Sequence, residues 1–534
     1  MKSKSVVSLA LAAGACVFAQ GGAASPAIDT GADRNPSSLN VGLRLAGTLR
    51  PRSSDMIGGS NWTLGCDCLD RDFADFEAYK DYIVPLGIKE IRLIAGWAKT
   101  ERKPGVFDFA WLDRHVNWAN DNKINVYLDL SYGNPIYKGA GGAGLSDGIP
   151  NTEEGLARWD VWIERLAEHF RGRIRDYAMW NEPNNNKLNT PAMVVDFNVR
   201  TARILRRLVP DCRLHALSLG DSDPSFFEKC MEELKRRDAF GLFDSYVYHG
   251  YDYNPDSTYQ KLEWYKSVCR RFGIAPRMRQ GENGAPSEWS ERFALSFHPW
   301  SEVSQAKWDM RRMLGDLGHD VRSTVFTICD LHYGGPYARE TYENRKGLLR
   351  TNERHEVIQI KKAYYAVQNV VSVFDDTLKR VDPEGFKTRD RTISAYEYVK
   401  DGAIPLFVFW DNGRPERLTE PVVTPEGERE YDIYRQHFRI KKPKWRHADG
   451  VFRLDGREYD GIPGDGFTTR PAMFTWTGRP LSDPVWIDLF TGRVYELTER
   501  QQLVHSCGTT FVGIPVYDSP CVITERAAIA FNPL

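Results

Sequence analysis

The 534-residue chain lacks an excess of either charge: 71 Lys and Arg stand against 72 Asp and Glu, for a net charge of −1. Without a basic field there is no long-range attraction for a polyanion, which argues against nucleic acid or an anionic membrane surface as a partner. Cysteine is scarce, nine residues in all. Cys66-Asp67-Cys68 has no second Cys/His cluster at ligand spacing, so no metal site is expected and the thiols read as free or structural. Phosphate-cradling glycine loops and nucleophilic Ser or Cys arrangements are also missing. No cofactor is implied. Beyond the N-terminus no apolar run reaches the ~20 residues that span a bilayer. What remains is chemistry by side chains alone on a neutral or locally recognised substrate.

The N-terminus has the three-part layout of a secretory signal: Lys2 and Lys4, an apolar run from Val6 to Ala19, and small residues from Ala19 to Ala27. Residues 1–24 are therefore expected to be removed on export to the periplasm or the extracellular space. Lipoprotein anchoring at Cys16 is the weaker alternative, because Ala13-Gly14-Ala15 lacks the usual leading Leu. The 61.0 kDa chain exceeds what one hydrophobic core organises, so two domains are expected.

From about residue 55 to 374, apolar β-type runs alternate with stretches of helical periodicity, the pattern of a parallel sheet wrapped by helices. The strand candidates are Met56 to Asn61, Glu90 to Ile94, Asn125 to Leu130, Asp176 to Trp180, Arg213 to Leu219, Ser245 to His249, Pro276 to Gly281 and Ser323 to Asp330. Eight such repeats with right-handed crossovers close into a (β/α)8 TIM barrel. Past Phe374 the strands are short and bounded by Gly, Pro and Asp, which reads as an antiparallel β-sandwich over 375–534, with residues 38–54 a candidate for one more strand. A basic stretch at 435–446, within a Gly/Lys/Arg-rich insertion, reads as a solvated loop rather than an anionic-glycan contact.

Two glutamates carry the chemistry. Glu182 in DYAMWNEPN (176–184) and Glu282 in RMRQGENG (277–284) each follow a strand candidate, and about one hundred residues separate them. That distance is about three βα units, which places both carboxylates at the C-terminal end of one barrel. Paired carboxylates there suit glycoside hydrolysis: one protonates the departing oxygen while the other, held ionised, attacks the anomeric carbon. Asn181 sits beside the first, and Gly281, Asn283 and Gly284 let substrate approach the second. Arg92 and Tyr251 could donate to Glu282 and keep it charged, and His249 shares the same mouth. Trp97, Asn134, Asp330 and His332 are further strand-end candidates for substrate binding.

WNEPN, HGY (249–251), SYGNPIY (131–137) and a Glu at the end of strand seven resemble the large clan of retaining (β/α)8 glycosidases that use glutamates from strands four and seven. Within it the chain is most similar to family 39, the β-xylosidase and α-L-iduronidase group, and to family 5 cellulase-like proteins. GLLR (347–350) with KKAYYAVQNVV (361–371) resembles the approach to the last barrel helix, and 488–497 and 513–523 resemble the C-terminal β-domain. The resemblance implies Glu182 as acid/base, Glu282 as nucleophile and Asn181 as partner of the sugar 2-OH. It departs at Gln280-Gly281-Glu282-Asn283-Gly284, where Thr-Glu-Phe is common, and at Cys329-Asp330-Leu331-His332, where many members place a tryptophan. The expectation is an exported retaining hydrolase acting on β-linked carbohydrate in polysaccharide degradation. The competing class is a noncatalytic glycan-binding or cell-surface structural protein on the same fold, which need keep neither glutamate.

Overall fold

The structure, a computed structural model, describes residues 25–31, 34–220, 224–335, 341–413, 452–454, 457–459 and 461–534. The signal segment 1–24 and the basic stretch 435–446 lie outside the described residues. The first strand in the chain is β1, Leu45–Leu49. A closed parallel barrel follows, built from β2 (Trp62–Gly65), β3 (Glu90–Ile94), β4 (Asn125–Asp129), β5 (Asp176–Ala178), β6 (Arg213–Leu219), β7 (Ser245–His249), β8 (Met278–Asn283) and β9 (Arg322–Val325). β2 pairs with β9 to close it.

The barrel strands are buried along most of their length, as in β3 where all of Glu90–Ile94 is inaccessible, and the longer outer helices bury one apolar stripe. Glu153–Phe170 buries Trp159, Trp162, Ile163, Leu166 and Phe170 at helical spacing and is capped by Thr152 accepting from Gly155 N. Pro191–Leu208 starts with Pro at its first turn behind the Thr190 cap.

Two strand expectations need correction. The first barrel strand begins at Trp62 instead of Met56: Ser54–Met56 forms a single 3-10 turn, and Gly58 and Gly59 lie against Asp376, where an added Cβ at Gly58 would meet Oδ2 at 2.6 Å. The eighth strand ends at Val325, well short of Asp330. Beyond it Ile328 N still reaches β2 at Gly65 O, but Leu348 N and Leu349 N donate to Thr327 O and Ile328 O, so on its other side the chain has turned away from the barrel ladder. It builds two hairpins over the mouth, Leu331–Tyr333 with Tyr342–Asn344 and Leu349–Thr351 with Val357–Ile360, before the helix Lys362–Val373.

The C-terminal domain is an eight-stranded antiparallel sheet facing a three-stranded one. β1 joins the large sheet, pairing with Arg493–Glu496 and Phe531–Pro533. The strand Ile404–Asp411 shows why its sequence is apolar throughout. Phe407 and Phe409 face the interior between the two sheets, while Leu406, Val408 and Trp410 pack in the barrel's own cluster. All eight described cysteines are free, and all but Cys507 are buried.

The two domains share a sealed interface. Phe374 meets Tyr398 edge-on with ring centroids 5.9 Å apart, and Tyr396 lies against Gly318, where an added Cβ would approach its ring to 2.4 Å. Within this apolar seam the buried Arg311–Asp256 ion pair on the barrel side accepts help from the sheet, since Trp410 Nε1 (3.0 Å) and Ser394 Oγ (2.6 Å) both donate to Asp256. Lys400 Nζ reaches Asp375 at 2.9 Å. Removing one side of such a seam exposes apolar surface and strips donors from a buried charge. A chain ending at Phe374 is expected to aggregate, and Trp410→Ala to cost about 3–5 kcal/mol in denaturant unfolding. A soluble, monomeric 25–374 barrel by size-exclusion chromatography would contradict this interface.

Candidate functional site

The C-terminal ends of the barrel strands open into a cavity of ≈ 430 Å³, whose lining includes Asp67, Arg71, Arg92, Tyr132, Asn181, Glu182, Asn185, Tyr251, Glu282 and Lys346. Local backbone devices turn both glutamates into it. Glu182 holds a left-handed conformation (φ 48°, ψ 51°) just before the turn Pro183–Asn185, and its N–H donates to Ser218 O at 2.9 Å. Such a conformation in a non-glycine residue stores strain, which the fixed Pro183 and this hydrogen bond hold in place.

Glu282 depends on a β-bulge. His249 pairs with Glu282 and Tyr248 with Gln280, so β8 carries one extra residue, Gly281, against its neighbour. Arg279 points into the barrel, where its guanidinium lies 3.8 Å from the Tyr127 ring centroid. Strict alternation from Arg279 would turn position 282 outward. The extra residue reverses the phase and aims Glu282 at the mouth. Only glycine fits the bulge, because a Cβ at 281 would lie 2.5 Å from Val247 Cγ1 and 3.0 Å from His249 Nε2.

The two carboxyls keep different company. Glu282 accepts from Arg92 Nη1 at 2.8 Å and from Tyr251 Oη at 2.7 Å. Burial pushes its carboxyl up, but His249, Arg92 and the two hydrogen bonds outweigh burial and hold it below the usual carboxylate range. Burial, reinforced by Glu282, keeps the Tyr251 phenol well above its ordinary value, so it remains a donor. Glu182 instead shares a hydrogen bond with His249 Nδ1 at 2.8 Å and accepts from Asn185 Nδ2 at 2.6 Å. Arg92 also donates through Nη2 to Asn181 Oδ1 (2.6 Å) and Asp129 (3.0 Å), and Asn181 Nδ2 donates to Tyr132 Oη. Asn181 therefore stands in the cavity with its amide oriented from both ends and one N–H to spare.

Glu182, His249 and Glu282 each offer one atom such that all three lie within 4.8 Å of one another. Three such donors could be read as a divalent-cation site. Glu282 already binds the Arg92 guanidinium through one oxygen and the Tyr251 hydroxyl through the other, and a metal cation on the same carboxylate would be repelled by that fixed positive charge, so the set fits a carboxylate pair better than a metal.

The structure brings together Glu182, Glu282, Asn181, Arg92, His249 and Tyr251. Four further candidates stand elsewhere. Trp97 is fully buried, with its indole on Glu101 Oε2 at 2.7 Å and its ring stacked on Trp162, so it is core behind the site. Asn134 braces its own loop through Glu101 O at 2.8 Å. Asp330 pairs with Lys361 at 2.7 Å and His332 bonds Thr351 at 3.0 Å, both within the hairpin region that the early end of β9 creates. None of the four lines the cavity.

Sequence reasoning missed other lining groups. Asn185 stands three residues past Glu182, within reach in any turn that follows the strand. Asp67 lies two residues past the end of β2, between two cysteines. Lys346 and the wall at 293–297 had no local signal. In that wall Phe293, Leu295 and Phe297 all have left-handed φ (69°, 64°, 65°), at about 1–2 kcal/mol each. Three successive carbonyls are pinned by side chains: Ala294 O by Lys346 Nζ (2.7 Å), Leu295 O by Trp300 Nε1 (2.7 Å) and Ser296 O by Tyr253 Oη (2.6 Å).

No family model matches the sequence, and no curated protein matches it. Solved structures do share the fold. A family 39 glycoside hydrolase from the gut symbiont Bacteroides cellulosilyticus WH2 superposes with a TM-score of 0.57 at 13% identity, over 90% of this chain and 83% of that one. A monomeric beta-xylosidase from Caulobacter crescentus CB15 gives 0.51 at 14%, over 90% and 97%. A family 30 endoxylanase from Clostridium papyrosolvens C71 gives 0.51 at 10%, over 91% and 98%. At these identities the likeness is one of fold: a (β/α)8 barrel with a β-sandwich.

The Tyr251 hydrogen bond is one of the interactions that hold Glu282 ionised. In Tyr251→Phe the Glu282 carboxyl is expected to titrate at higher pH than in the wild type, read by ¹³C NMR of protein labelled at glutamate carboxyls. An unchanged titration would remove Tyr251 from the electrostatics of the site.

Proposed function

We propose that this chain is an exported retaining glycoside hydrolase that cleaves β-glycosidic bonds of glycans or oligosaccharides by double displacement, with Glu282 as nucleophile and Glu182 as acid/base. The observation that carries the reading is the pair of carboxylate oxygens within 4.8 Å of each other at one cavity. Retaining enzymes place their carboxyls about 5–5.5 Å apart, whereas an inverting pair needs about 6.5–9.5 Å to admit a water. The unlike surroundings support the assignment of roles. Glu282 is held ionised by a guanidinium and a phenol, as a nucleophile requires. Glu182 is bonded to an imidazole and an amide, groups that accommodate a proton arriving and leaving.

In the first step a Glu282 oxygen bonds to the anomeric carbon while the bond to the departing oxygen breaks and that oxygen takes the Glu182 proton. The products are a glycosyl ester on Glu282, a free alcohol and an ionised Glu182. In the second step Glu182 takes a proton from water as its oxygen attacks the anomeric carbon, which releases the sugar with its original configuration and restores both carboxyl groups. Arg92 stabilises the carboxylate that leaves the ester, and Asn181 has an N–H available for the sugar 2-OH. The neighbours named beta-xylosidase and endoxylanase support β-glycosides as the substrate class. Lys2, Lys4 and the run Val6 to Ala19 support export.

Glu182→Ala is expected to lower turnover by about 10²–10⁴-fold on glycosides with poor leaving groups and far less on activated aryl glycosides, whose departure needs no proton. Azide should partly restore the activated case, with a glycosyl azide as product. Equal losses on both substrates with no azide effect would contradict the acid/base role.

A further inference from the structure

Asp67 follows β2 at the barrel mouth and lines the cavity, yet its side chain is nearly inaccessible, at 2% exposure. Neither of its oxygens accepts a hydrogen bond from any described residue. The Arg92 guanidinium is 3.4 Å from Oδ1, but that nitrogen already donates to Glu282 at 2.8 Å. Buried carboxyls are otherwise hydrogen-bonded as a rule, because an unsatisfied one costs the full desolvation of its oxygens. Asp70, three residues along the same loop and also buried, shows the ordinary solution: Arg71 Nε sits 3.1 Å from its Oδ2. The backbone makes room for the bare carboxyl. A Cβ on Gly65 would stand 2.7 Å from Asp67 Oδ2, so glycine at that strand position keeps the group where it is.

We propose that Asp67 is a specificity-determining residue of the sugar subsite, whose carboxyl receives a ring hydroxyl of the glycone beside the Glu282 carboxylate. The proposal rests on the glycosidase reading above and names what that cavity recognises: a pyranose bearing a free hydroxyl at one ring position away from the anomeric carbon. A sugar hydroxyl suits the site better than an added anion, since Glu282 and Asp129 already crowd the same guanidinium. Burial pushes the Asp67 carboxyl up to about 7, with Arg92 opposing and Glu282 and Asp129 adding to it. Near neutrality the group therefore exists both as a pure acceptor and as an acid that donates and accepts. A hydroxyl, which does both, pairs with either form.

The test uses 4-nitrophenyl β-D-glycosides and, for the one hydrolysed best, its series of monodeoxy analogues, against wild type, Asp67→Asn and Asp67→Ala. In the wild type, removal of one particular hydroxyl is expected to lower kcat/KM by about a hundredfold, the scale of a hydrogen bond to a charged group. Asp67→Ala should lose a similar factor on the parent glycoside and little more, within about threefold, on that one analogue, because the interaction is already gone. On the other analogues the two losses should multiply. Asp67→Asn, which keeps the shape, should fold with a thermal midpoint close to the wild type and show the same selective pattern in milder form. If Asp67→Ala loses the same factor on every analogue, its effect runs through Arg92 and Glu282 and the proposal is overturned. Should both variants fail to fold, a wild-type series in which no single hydroxyl matters by more than about tenfold overturns it equally. Absence of hydrolysis of any glycoside by the wild type would instead strike the glycosidase reading itself, and this inference with it.

Discussion

One buried guanidinium organises the mouth of this barrel. Arg92 is shut away from solvent and faces four groups at once: Glu282 and Asp67 on one terminal nitrogen, Asn181 and Asp129 on the other. Three carboxyls in a low-dielectric interior repel each other and are costly to desolvate, so the cluster stands only because a permanent cation sits among them. Asp129 in turn accepts from Ser131 and holds the second Arg92 nitrogen at 3.0 Å. The arginine holds Glu282 as a charge, orients the Asn181 amide beside Glu182 and leaves Asp67 without a hydrogen-bond donor among the described residues. Its reach is possible because β3 places alternate side chains in the barrel: Glu90 toward one end, Arg92 toward the other.

Glu90 anchors the opposite layer. It pairs with Arg279 and Arg322, while Asp176 pairs with Arg213 and accepts from His215 at 3.1 Å. Because these groups sit at or near the starts of the strands, they close the bottom of the barrel with paired charges and leave the cavity at the other end. The C-terminal sheet adds a second constraint. By capping Asp256 with Trp410 and Ser394, it packs against the helix Glu302–Gly318, which also carries Lys307 onto Asp518 at 2.7 Å. The domain is a structural wall of the barrel and not a tethered appendage.

Much of this was legible in the sequence. Glu90–Ile94, Arg213–Leu219 and Ser245–His249 were visible end to end because each is a largely apolar run bounded by turns, and the two glutamates stood out because each sits in a short motif at the end of another strand, after Asp176–Ala178 and at the end of Met278–Asn283. What failed was whatever depended on one residue of phase or on contacts distant in sequence. The bulge at Gly281 could be read only as room for substrate, although its effect is to turn Glu282 inward. The eighth strand looked continuous through Asp330 because apolar residues continue past Val325, yet only Phe326 N and Ile328 N still reach the barrel, at Asn283 O and Gly65 O, while the carbonyls of Thr327 and Ile328 have turned to Leu348 and Leu349. Trp97 was a reasonable substrate-binding candidate by position but belongs to an aromatic core, stacked on Trp162 and edge-on to Trp159. Lys346 and the pinned wall at 293–297 converge from separate insertions, which no local pattern announces.

The central claim is that Glu282 forms a covalent bond to the sugar, and intact-protein and peptide mass spectrometry after incubation with an activated 2-deoxy-2-fluoro-β-glycoside tests it directly. The fluorine slows both steps, while the activated leaving group keeps the first fast enough for the ester to accumulate. The account requires one fluorosugar per chain, located on the peptide that contains Glu282, with loss of activity in step with labelling. An adduct on a different residue, or none from a protein that hydrolyses the parent glycoside, would contradict it.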